Sequence, residues 1–132
     1  MKILFVCSDN LFHSQAAEAF FNKLSKEHRA ISAGTHAIEG AEAAVEGLAL
    51  HALHEVGVDL YRRPAQLLTR ELFDSADRVV VLTDKSLLPD YVKGHKVLRW
   101  EVGEVAEKGI DLHREARDRI VGLVEKFVAE IE

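Results

Sequence analysis

Short apolar runs alternate along this chain with longer stretches whose apolar residues recur every three or four positions. Met1 to Val6 is a run rich in β-branched and aromatic side chains, and it predicts a buried strand. Gln15 to Leu24 carries apolar residues at 16, 17, 20, 21 and 24, which share one face of a helix. Arg29 to Ala33 reads as a second short strand that ends at Gly34-Thr35. Residues 41 to 56 read as a helix with Val45, Leu48, Ala49, Ala52, Leu53 and Val56 inward, and Gly57 is placed to cap it. Thr69 is placed to cap a short helix over 70–75. Residues 77–82 and 96–99 read as third and fourth strands, and 112–131 as a long amphipathic helix with Ala116, Ile120, Leu123, Val124, Phe127 and Ile131 inward. This alternation predicts an α/β fold in which a parallel sheet carries helices on both faces.

At 132 residues the chain is expected to be a single domain spanning 1–132, long enough to bury a core. A hydrophobic fraction of 48% and a charged fraction of 30% fit a soluble globular protein. The formal charge of −5, with no basic cluster, argues against nucleic-acid or anionic-membrane partners. No apolar run reaches membrane-span length and the N-terminus has no signal-peptide design, so the expectation is a cytoplasmic protein. The single cysteine excludes an intramolecular disulfide and a Cys-rich metal site.

That cysteine changes the picture. Cys7 opens the stretch Cys7-Ser8-Asp9-Asn10-Leu11-Phe12-His13-Ser14, which joins the end of the first strand to the start of the first helix. Open parallel sheets bind ligands at that edge. Loop N–H groups and the positive end of the helix suit an anion there, and a thiol so placed becomes a nucleophile. The plain alternative is a core cysteine at a strand end.

The stretch resembles the phosphate loop of the low-molecular-weight protein tyrosine phosphatases and of the arsenate reductases built on the same fold: strand, Cys, five residues, Arg, Ser, helix. The resemblance implies a three-layer α/β/α fold with a four-stranded parallel sheet in the order 2-1-3-4. It places Cys7 on the nucleophile, Asn10 on a loop-bracing Asn and Ser14 on the Ser that hydrogen-bonds the thiolate. Ser8, Asp9, Asn10, Leu11, Phe12 and His13 then form the phosphate-binding loop, and Ser32 in Ser32-Ala33-Gly34-Thr35 supports it. Glu104 falls on the family's general acid, or is one of several solvated acids with Glu101 and Glu107.

Four positions depart from the family. His13 replaces an Arg that grips phosphate with two parallel hydrogen bonds and a permanent charge. Asp9 puts a carboxylate where a small or neutral residue is usual; beside a bound dianion that is unfavourable unless the carboxylate points outward or is protonated. Val105 replaces a Pro after the acid. Arg63 lies where a structural His is common. An aromatic residue that would flank a phenyl ring is absent between 36 and 50.

The resemblance implies a cysteine-dependent phosphomonoester hydrolase of the protein tyrosine phosphate type. Cys7, His13, Ser14 and Glu104 would be catalytic, with no metal or cofactor, acting on a phosphorylated small molecule, a phosphoprotein or another oxyanion. The alternative is a catalytically degenerate phosphate-binding or protein-interaction module. A third reading is an arsenate reductase that draws on an external thiol, because the chain has no further cysteine to shuttle a disulfide. A zinc site from Cys7, Asp9 and His13 would lack a fourth ligand.

Overall fold

A computed structural model of the chain describes residues 1–39, 47–58, 64–102 and 110–132. Four parallel strands, β1 (Lys2–Cys7), β2 (Arg29–Gly34), β3 (Arg78–Val81) and β4 (Val97–Arg99), form one sheet in the order β2-β1-β3-β4. The chain therefore reverses direction across the sheet next to β1, and the carboxyl end of β1 is where a ligand crevice opens. β1 pairs with both neighbours, Cys7 opposite Gly34 and Val6 opposite Val81.

β1 is apolar at every inner position because both its faces are covered. Ile3, Phe5 and Cys7 turn to one layer with Phe21, Leu53, Ile120, Val124 and Phe127. Leu4 and Val6 turn to the other with Phe73, Val79, Val81 and Val92. The first layer is built by α1 (His13–Leu24), α2 (Gly47–His54) and α4 (Ile110–Ile131), and the second contains α3 (Arg70–Ser75). Phe5 anchors the first layer, with its ring 6.0 Å from Phe21 and 5.7 Å from Trp100.

The expected fold class and strand order hold. So do the capping expectations: Thr69 accepts a hydrogen bond from Leu72 N at 3.2 Å. Gly57, at φ 78°, closes α2 by donating to His54 O while Val58 N donates to Leu53 O, the paired bonds of a Schellman end. Three helix boundaries need correction, the first being the end of α2, which lies at His54 and not Val56. α1 begins at His13, not Gln15, so the connection is shorter than expected and His13 and Ser14 lie on the helix. α4 begins at Ile110 rather than 112. The first part of the helix expected from 41 falls outside the described residues. Among the described residues no helix is long and apolar enough to cross a membrane.

Candidate active site

Cys7 is the last residue of β1 and is 2% exposed. Ser14 Oγ lies 2.9 Å from its Sγ, and Asn10 N donates to the same sulfur at 3.2 Å. Asn10 sits at φ 59°, the left-handed region that asparagine tolerates best among residues with a side chain. That turn aims its N–H back at the sulfur.

The Asn10 side chain fixes the rest. Its Oδ1 accepts from Gln66 N at 2.7 Å, which identifies the oxygen end of the amide. Its Nδ2 therefore supplies both remaining bonds, to Ser14 Oγ at 2.8 Å and to Ser32 Oγ at 2.9 Å. Each serine oxygen accepts there, so each hydroxyl hydrogen is available elsewhere: Ser32 donates to Glu18 Oε1 at 3.0 Å, and Ser14 can donate to Cys7 Sγ. One buried amide thus holds both serine hydroxyls in place and leaves the Ser14 hydrogen available to the sulfur. Gln15 Nε2 closes the loop from below by donating to Asn10 O at 2.6 Å.

β2 holds the loop from the side. Thr35 N donates to Cys7 O at 2.9 Å and His36 N to Ser8 O at 2.8 Å. Gly34 permits this approach: a Cβ there would stand 2.6 Å from Ser8 O and 2.8 Å from Asn10 N. On the helix side, the rings of Phe12 and buried His113 meet at 5.3 Å, so α4 packs on the loop.

Burial pushes the Cys7 thiol up. The Ser14 and Asn10 hydrogen bonds pull the other way, the Asp9 charge adds to the rise, and the balance lies above the ordinary thiol value. Asp9 Oδ1 accepts from Leu11 N at 3.0 Å and stands 3.8 Å from Cys7 Sγ. Asp9 thus faces the sulfur. His13, half-buried at the first turn of α1, stacks edge-on against Phe12 at 5.3 Å. A separate cavity of about 350 Å³ is bordered by Asn10, Gln15 and Ser32 but also by Glu18 and Glu39. Its two carboxylates disfavour an anion there.

The structure thus brings together Cys7, Asp9, Asn10, Ser14 and Ser32 of the sequence-predicted residues. Glu104, Val105 and Arg63 lie outside the described residues. Gln15, Glu18 and Gln66 were not expected in this network. Their signal was faint: Ser14, Gln15 and Glu18 are polar residues on a buried face of an otherwise amphipathic helix. Among the described residues no group of three or more His, Cys, Asp or Glu is placed to hold a metal ion.

A sequence model of the family described as low molecular weight phosphotyrosine protein phosphatase matches residues 2–132. Among curated relatives, arsenate reductase 2 of Staphylococcus epidermidis is 30% identical over 95% of this chain and 94% of its own. Among solved structures, the low molecular weight protein tyrosine phosphatase from T. tengcongensis superposes with a TM-score of 0.84 at 27% identity, covering 98% of this chain and 99% of that one. A cysteine-to-serine mutant of YwlE arginine phosphatase, with its active-site serine phosphorylated, superposes with a TM-score of 0.81 at 26% identity, covering 99% and 95%.

Proposed function

Because the chain belongs to the low molecular weight phosphotyrosine protein phosphatase family, we propose that it is a cysteine-dependent phosphomonoester hydrolase with an altered phosphate loop. The observation that carries this reading is the convergence of Ser14 Oγ and Asn10 N–H on Cys7 Sγ. A core cysteine has no need of two donors; a sulfur that must carry negative charge has. The S–P bond forms on Cys7 as the bond to the leaving oxygen breaks, and water then releases phosphate. The loop N–H groups and His13 hold the equatorial oxygens, and Glu104 protonates the leaving group. The phosphorylated serine in the YwlE mutant supports the first residue of the loop as the phosphoryl acceptor. The substrate class is a phosphorylated small molecule or phosphoprotein.

The raised thiol and the facing Asp9 favour one second reading, an oxyanion-binding module whose turnover is lost. An arsenate reductase would need an external thiol, since the sequence holds one cysteine. Hydrolysis of p-nitrophenyl phosphate across mildly acidic to neutral pH, with Cys7→Ser as the blank, separates these. Turnover that Cys7→Ser abolishes supports the hydrolase; turnover that survives it, or none in wild type, rejects it.

A further inference from the structure

We infer that Asp9 is a specificity determinant: a built-in oxyanion on the loop that discriminates against doubly charged ligands in favour of singly charged ones. The inference rests on the loop's being the oxyanion cradle proposed above.

Two contacts carry it. Asp9 Oδ1 accepts the Leu11 N–H at 3.0 Å, so one amide expected for a bound oxyanion is already held by a carboxylate of the chain itself. The same oxygen lies 3.8 Å from Cys7 Sγ, on which any ligand must converge. An Asx turn at this place needs only an oxygen, and asparagine or serine supplies one without charge. The aspartate therefore adds something the turn does not require. Asp9 is exposed as a residue, so its charge acts by position rather than burial, and water screens part of it. With His13 in place of a permanent cation, the loop has little positive charge to offset it. Each ligand charge added next to Asp9 is repelled, and a dianion is repelled twice as strongly as a monoanion of the same shape.

The test uses the wild-type chain and two non-hydrolysable ligands of matched shape, benzylphosphonate (doubly charged in mildly alkaline buffer) and benzylsulfonate (singly charged). Both dissociation constants are measured by calorimetry for wild type, Asp9→Asn and Asp9→Ser. Asp9→Asn and Asp9→Ser each keep an oxygen for the Leu11 N–H and remove the charge. The ratio of the two constants is expected to move toward the phosphonate by about tenfold in both variants, the scale of one charge within a few ångströms in a partly screened site. An unchanged ratio in both variants, with both ligands still bound, overturns the role of Asp9 and leaves the cradle standing. If neither ligand binds any of the three proteins, the cradle fails and this inference fails with it. No turnover enters either result.

Discussion

Asn10 Nδ2 reaches Ser32 Oγ at 2.9 Å, which fastens the middle of the loop to β2 across 22 positions of sequence. Through the same nitrogen, Asn10 holds Ser14. Asn10→Ala removes the side-chain bonds to Ser14, Ser32 and Gln66 and places a Cβ-bearing residue at φ 59° with nothing to favour it. Loss of buried bonds at 1–3 kcal/mol each, only partly additive, predicts a destabilisation of about 3 kcal/mol in urea unfolding. Asn10→Gly relieves the backbone strain alone and is expected to recover about 1 kcal/mol of that.

Ser14→Ala isolates the bond that favours thiolate. It takes away the hydroxyl 2.9 Å from Cys7 Sγ, and the thiol, already raised by burial, is expected to rise further. Alkylation by iodoacetamide, an uncharged reagent, should slow about tenfold at neutral pH, the worth of one hydrogen bond to a charged group. An unchanged rate would mean that the Ser14 hydrogen points elsewhere.

Glu55 contributes to the pH dependence of stability. Arg114 and then Arg117 hold its carboxyl down to about 2 from 4.5, with contacts of 2.7 and 2.5 Å that tie the end of α2 to α4. A carboxyl lowered in the folded state adds stability that is complete above the unfolded value. That stability is lost as pH falls from about 4.5 toward about 2. Wild type is therefore expected to unfold at higher urea than Glu55→Gln near neutrality, and the two midpoints should converge on acidification through that window.

His13→Arg tests the charge missing from the loop. His13 stands at the first turn of α1, where a guanidinium would offer a permanent, two-pronged grip. One well-placed donor to a developing oxyanion is worth roughly a hundredfold in rate. Turnover of p-nitrophenyl phosphate is expected to rise by about that factor, and His13→Ala to lose what activity there is.

The strands were legible because β1 and β3 are buried on both faces and leave unbroken apolar runs, such as Val79-Val80-Val81. The loop was legible because Cys7 stands between a buried strand and a helix, and because Asn10, Ser14 and Ser32 fall on positions of the phosphate-loop pattern that the stretch resembles. The reach of Gln66 N to Asn10 Oδ1 was not, because it joins positions 56 apart through backbone, which no side-chain pattern records. The direction of Asp9 was not legible either. Whether its carboxylate turned outward or toward the thiol depended on the Asx turn with Leu11, a local geometry that several residue types share. The early start of α1 was hidden because Phe12 caps it without a side-chain bond, so no capping residue marked the boundary.

Acid quenching of wild type during turnover of a radiolabelled phosphomonoester, followed by mapping of the label, tests the central claim most directly. The account predicts one labelled phosphoryl group on Cys7, absent when Cys7 is replaced by alanine. Turnover with no label on Cys7, or label that persists elsewhere in Cys7→Ala, would contradict it.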